Sequence, residues 1–123
     1  MTPSQTIEEF AARLNAGDVA GAVDLYEADA TFVVEPGTEA RGIDEIRAAL
    51  EGFAALRPRL QGTIEQSLAT GDIALVVNRW TLRGTRPDGE PVHLSGRSAD
   101  VLRRDGERGW RIAIDNPWGD AAQ

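Results

Sequence analysis

The sequence predicts an α+β protein in which helices pack on one face of a curved antiparallel sheet. Three observations carry this prediction. Helical periodicity is confined to the first half, a single short strand interrupts it, and from Leu60 onward the chain reads as a meander of strands separated by turn residues.

The first helix runs from about Ile7 to Asn15, with Ser4 and Thr6 as candidate caps and Ile7, Phe10, Ala11 and Leu14 on one stripe. Gly17 ends it, and Asp18 caps a second helix that carries Val19, Ala22, Val23 and Tyr26 on one side. From Ala30 to Glu35 the residues are β-branched and aromatic, which predicts a short strand stopped by Pro36-Gly37. The third helix spans Ile43 to about Leu56, with Ile43, Ile46, Leu50 and Phe53 aligned and Arg57-Pro58 closing it. Strands follow at about Leu60 to Ala69 and Ile73 to Gly84, then a long hairpin from Val92 to Trp118 that turns at Asp105-Gly106 and Gly109. On the last strand Trp110, Ile112, Ile114, Asn116 and Trp118 fall at period two, so one face is apolar and aromatic and ends in an amide. Such a face suits the floor of a small-molecule pocket.

At 123 residues and 41% hydrophobic content, the chain is expected to form one domain, 1–123, with one core. Thirteen arginines, no lysine and 20 acidic residues give a net charge of −7, which argues against nucleic acid and anionic membranes as partners. The abundance of Ala, Gly, Asp and Arg reads as GC-rich, bacterial-type coding bias. There is no cysteine, and His93 is the sole histidine, so thiolate chemistry is excluded and a multi-histidine metal centre is impossible. No cofactor is expected. The N-terminus lacks the pattern of a secretory signal and no apolar run reaches membrane-spanning length, so a cytoplasmic location is expected.

Several short runs carry a resemblance to a known family. Leu14-Asn15-Ala16-Gly17-Asp18, Leu25 to Thr31, Glu35-Pro36-Gly37, the Gly42 to Arg47 helix start and the Asp105-Gly106 turn resemble the ketosteroid isomerase and polyketide cyclase (SnoaL-like) branch of the nuclear transport factor 2-like superfamily. The resemblance implies a cystatin-like cone, a curved sheet wrapped on three helices and open at one end, often dimerising through the outer face of the sheet. It implies a fold more strongly than a function, because the family includes isomerases, cyclases, hydrolases and proteins that only bind.

The resemblance also implies site residues. Glu35 lies where the family keeps a catalytic carboxylate base, and enclosure by Phe32 and Val34 would give it the raised pKa that such a base needs. Asp100 falls where the isomerase keeps a protonated Asp as an oxyanion donor. The partner tyrosine of that oxyanion hole is replaced by Phe10, leaving Tyr26 as a pocket phenol.

From the residues alone, Glu35 reads equally as a solvated strand end, and Asp100 depends on hairpin register. Closure over five residues puts it inside with Leu102 and Ile114; closure over four puts Arg97, Ala99 and Val101 inside and leaves Asp100 outward near Arg79 and Arg111. Asn116 and Trp118 follow the Trp110 stripe, and Asn78 and Trp80 share a face with Val76 and Leu82. All four are therefore candidate ligand contacts, with core packing as the alternative for Trp80. Arg97 would clamp an acidic ligand if it pointed inward.

The expectation is a pocket for a small, mostly apolar, oxygen-bearing metabolite, with Glu35 and Asp100 moving a proton next to a carbonyl. A non-catalytic binding or dimerisation domain is the alternative. Epoxide hydrolysis by a carboxylate-Arg-carboxylate set drawn from Asp100, Arg97 or Arg79, and Asp115 is a third, but its parity fails unless a β-bulge intervenes. The number of carboxylates opening into the cone discriminates among these readings.

Overall fold

The protein is described by a computed structural model that covers residues 1–119. Helix α1 (Pro3–Asn15) and the short α2 (Val19–Val23) lead into strands β1 (Tyr26–Glu35) and β2 (Thr38–Arg41). Helix α3 (Gly42–Ala54) precedes four long strands, β3 (Arg59–Thr70), β4 (Ile73–Thr85), β5 (Pro91–Asp105) and β6 (Gly109–Asp115). The six strands form one sheet in the order β2-β1-β6-β5-β4-β3. Only β1 and β6 run parallel, because β1 reaches the sheet from the helical half of the chain while β3 to β6 fold as a meander. None of the helices is long and apolar enough to cross a membrane among the described residues.

Helix α1 starts four residues earlier than its apolar stripe suggests. Thr2, not Ser4 or Thr6, is its cap: the Thr2 hydroxyl accepts from the Gln5 amide N–H at 3.1 Å, the Gln5 side chain accepts from the Thr2 N–H at 2.9 Å, and Pro3 takes the first helical position. The second helix is a single turn capped by Asp18. Tyr26, expected on it, instead begins β1, where it is 2% exposed. Pro36-Gly37 does not merely stop β1. With Gly37 at φ 89°, it turns the chain back into β2, a strand too short for periodicity to reveal.

Helix α3 lays Ile46 and Leu50, both fully buried, on the inner face of the sheet against β1. Helix α1 packs on β3, so the helices and the curved sheet enclose one core that includes Leu14, Tyr26, Phe32, Val76 and Ile112. Along β4 and β5 the alternation is clean: Ala74, Val76, Trp80 and Leu82 face inward, as do Ser98, Asp100 and Leu102.

The β5–β6 hairpin closes from Asp105 to Gly109, the five-residue alternative, and this puts Asp100 inside, 3% exposed. The last strand departs from strict alternation. Leu102 pairs with Ile112 but Val101 pairs with Ile114, so Ala113 is an extra residue and the strand changes face there. Ile114, expected on the inner stripe, is 43% exposed, whereas Asp115, expected outside, is buried.

Candidate functional site

A cavity of about 240 Å³ lies between α1, α3 and the inner face of the sheet. Its wall is mostly apolar and aromatic, with Phe10, Phe32, Phe53, Trp80 and Trp118 among the lining residues. Two glycines make room for the larger side chains. A Cβ on Gly96 would lie 2.9 Å from the Trp80 ring, and one on Gly62 would lie 2.5 Å from the Asn78 amide oxygen. The two indoles meet edge to face at 5.3 Å. Their N–H groups are both committed to backbone, Trp80 to the Pro117 carbonyl at 2.7 Å and Trp118 to the Val34 carbonyl at 3.1 Å.

Two carboxyls line this cavity side by side, Asp100 from β5 and Asp115 from β6. Asp100 Oδ1 accepts from the Asn116 backbone N–H at 2.9 Å, and the Ser98 hydroxyl lies 3.1 Å from Oδ2 and 3.2 Å from the Asn78 carbonyl. Asp115 Oδ2 accepts a short hydrogen bond from the Tyr26 hydroxyl, and its carboxyl neighbours that of Asp100 on the wall.

Burial holds the Asp100 carboxyl well above the usual carboxylate range, and the adjacent charge of Asp115 adds to it; the Asn116 N–H and Ser98 oppose the shift more weakly. Burial also raises Asp115, but the hydroxyl of Tyr26 and the proton on Asp100 both stabilise its anion. The Tyr26 phenol is itself held well above its ordinary value, by burial first and by Asp115 next, and so keeps its proton. Burial thus raises both carboxyls, and the Tyr26 hydroxyl donates to Asp115 and not to Asp100. Among the described residues no group of three potential ligands is arranged to hold a metal ion.

The residues expected to form the site divide into two groups. Asp100, Asn78, Trp80 and Trp118 do line the cavity. Tyr26 stands behind it, its ring covered edge to face by Phe10 at 5.8 Å and its hydroxyl on Asp115. Asn116 is also absent from the wall: its side chain donates to the Gly119 carbonyl at 2.7 Å, and its contribution is the backbone N–H that holds Asp100.

Glu35 is not enclosed by Phe32 and Val34. It lies exposed at the end of β1, where the register slips between Val33 and the Glu35–Thr38 pair, and is 3.5 Å from the Thr38 hydroxyl. Arg97 points to the outer face of the sheet, as does Arg79, and both pair with Glu65, at 2.7 and 3.2 Å. No guanidinium therefore stands between Asp100 and Asp115, which removes the bridging arginine of the epoxide hydrolase scheme. Sequence reasoning missed Ser98, which shares Asp100's parity, and named Asp115 only in the epoxide hydrolase set, because its face depends on the bulge at Ala113.

A six-stranded curved sheet closed over three helices with an open apolar pocket defines the nuclear transport factor 2-like class of α+β proteins. The chain belongs to the SnoaL-like domain family, whose profile matches residues 7–112. No protein of curated function is detectably similar to it. Among solved structures, it is similar to a nuclear transport factor 2-like superfamily protein from Salmonella enterica, with a TM-score of 0.80, 20% identity and coverage of 97% of this chain and 89% of the other. A Mycobacterium tuberculosis protein of unknown function superposes with a TM-score of 0.78 at 23% identity, covering 91% and 70%. A candidate dehydratase of the same family from Streptomyces avermitilis gives 0.74 at 18%, covering 92% and 90%. At these identities the likeness establishes the fold.

Proposed function

We propose that the protein is a cofactor-independent acid–base enzyme that moves a proton on a small, mostly apolar molecule held in the cone, in the manner of isomerases and cyclases that work next to a carbonyl. The observation that carries this reading is the pair of buried carboxyls side by side on the cavity wall. Asp115 is the base: it is the carboxyl whose anion the Tyr26 hydroxyl stabilises, and that hydroxyl orients it from behind. Asp100 is the acid, holding the proton that a developing oxygen or nitrogen centre would take. Because both project from adjacent strands of one wall, removal and delivery of the proton take place on the same face of the bound molecule. The base role expected of Glu35 passes to Asp115, since Glu35 does not reach the cavity.

The test is exchange of carbon-bound protons for solvent deuterium, followed by NMR, on a panel of small ketones and imines that includes β-tetralone. The wild-type protein is expected to accelerate exchange, and Asp115→Asn to lose about 10²–10⁴-fold of that acceleration, the usual contribution of a positioned base, with an unchanged circular dichroism spectrum. Equal rates for the variant and the wild type would eliminate Asp115 as the base. The exposed outer-face row of Leu68, Leu75 and Ile114 supports a homodimer formed through the sheet.

A further inference from the structure

We infer that the substrate of this cone is a cation at its reacting centre, a small apolar protonated imine, rather than a neutral ketone or an acid. The inference rests on the acid–base reading above and names the substrate class of the same site. It follows from the charge on the wall and from the state of its hydrogen-bond donors.

Every charged group that lines the cavity is acidic: Glu8 from α1, Asp100 from β5 and Asp115 from β6, with no arginine or histidine among the described lining residues. The remaining groups that face the carboxyl pair are uncharged. They are Tyr26 from β1, Ser98 beside Asp100, and the Asn116 N–H; α3 contributes only Leu50 and Phe53 to the wall. Either carboxyl, once ionised, is a buried negative charge that no cation among the described lining residues offsets. An isolated buried ion is costly. A cationic ligand supplies the missing partner, and the faces of Trp80 and Trp118 favour a delocalised cation further.

The donors point the same way. Deprotonating a carbon next to a ketone puts negative charge on the ketone oxygen, and such sites normally aim free donors at it. Here Trp80 and Trp118 spend their N–H groups on Pro117 and Val34, Tyr26 spends its hydroxyl on Asp115, and Ser98 has one proton for the Asp100 carboxyl or the Asn78 carbonyl. The amides of Asn78 and Gln61 are the side-chain donors of the wall that make no hydrogen bond among the described residues. Meanwhile Asn78 Oδ1 is a buried acceptor without a partner. The wall is thus rich in acceptors and negative charge, a poor host for an enolate and a good one for an N–H cation.

The step balances without any further reagent. The Asp115 carboxylate takes a proton from the carbon next to C=N⁺, the C–H electron pair forms the new C=C bond, and the C=N⁺ electron pair moves onto nitrogen. The products are a neutral enamine and a protonated Asp115. Opposite charges cancel as the proton moves, which a low-dielectric pocket favours. Reprotonation of that carbon from Asp115 regenerates the iminium with a solvent-derived proton. Where the substrate carries a second C=C conjugated through the deprotonated carbon, the intermediate is a dienamine, and protonation at its remote end by Asp115 or Asp100 moves the double bond.

The experiment compares three two-ring probes of similar size: 1-methyl-3,4-dihydroisoquinoline, which is an iminium ion when protonated, β-tetralone, and tetralin-2-carboxylate. Binding is followed by calorimetry and methyl or methylene exchange by NMR in deuterium oxide. The expected result is at least tenfold tighter binding of the iminium probe than of the carboxylate, exchange of its methyl protons faster than those of β-tetralone relative to each uncatalysed rate, and loss of both preferences in Asp115→Asn. Carboxylate binding as tight as iminium binding, or no binding of the iminium probe, overturns the inference. Asp115-dependent exchange in β-tetralone that equals or exceeds the iminium probe's also overturns it, while leaving the acid–base reading in place. Absence of Asp115-dependent exchange in all probes removes the acid–base reading as well.

Discussion

The two faces of the same strands carry acids in opposite states. On the outer face Glu65 meets two guanidinium groups in water; the hydrogen bond from Arg97, followed by that from Arg79, holds its carboxyl below the usual range. On the inner face, Asp100 lies on the same strand as Arg97 yet meets another acid, and burial drives its carboxyl the other way. Residue type does not decide which acid keeps a proton. Depth and the sign of the nearest charge do, and a three-residue step along β5 reverses both. Exposed ion pairs such as those of Glu65 contribute little to stability. The buried pair has large consequences because neither partner is solvated and neither is neutralised by a cation.

The sharpest way to break this contrast is to remove the buried charge problem. A carboxyl raised in the folded state binds protons more readily there than in the unfolded chain. Its contribution to stability is therefore complete below the unfolded value near 4 and is lost as pH rises through the folded value. Both Asp100 and Asp115 are raised, so they should make the protein less stable as pH climbs from about 4 through neutrality, opposite to the behaviour of a salt-bridged aspartate. Asp100→Asn keeps a donor toward Asp115 and an acceptor for the Asn116 N–H while taking away one titrating group. Thermal unfolding followed against pH should show a flatter profile for this variant and a higher midpoint than wild type above pH 7. A wild-type profile that rises through the same range would mean that the pair is not buried as described.

A smaller effect is expected from the group behind the base. Tyr26→Phe leaves the ring against Phe10 but removes the hydroxyl from Asp115, and a hydrogen bond to a charged group is worth about 1.5–3 kcal/mol. With one stabilising donor gone, the Asp115 carboxyl should rise further, and the acidic limb of the exchange-rate profile should move to higher pH. The limb would stay in place if Tyr26 merely packed.

How much of this was legible in the sequence follows from where alternation holds. Strands β4 and β5 are long and pair with each other without a shift of register, so Asn78, Trp80 and Asp100 could be assigned to the cavity wall once the hairpin closed over Asp105 to Gly109. Asp115 could not, because Ala113 inserts one extra residue and turns Ile114 outward; no local residue preference marks a bulge at an alanine. Glu35 sat before Pro36-Gly37 as the resemblance required, but the direction of a side chain at a strand end is set by the β1–β2 register, and β2 is only four residues long. Arg97 was ambiguous for the same reason as Asp100, and one fact of register decided both.

The bulge that brings Asp115 into the cone also turns Ile114 out, and this offers the mildest test of the contrast between the faces. Leu68 pairs with Leu75, Leu75 with Val101, and Val101 with Ile114, so one apolar row crosses four strands on the outer surface. Leu68 is 56% exposed and Ile114 43%, so a charge at either position disturbs little inside the subunit. If the row is the seam of a homodimer, Ile114→Glu should shift the sedimentation coefficient to that of a 13.3 kDa monomer while Asp115-dependent exchange persists. Loss of exchange together with the dimer would mean that the outer row helps hold the bulge, and with it Asp115, in position. A wild-type protein that already sediments as a monomer would leave the row without a role in self-association.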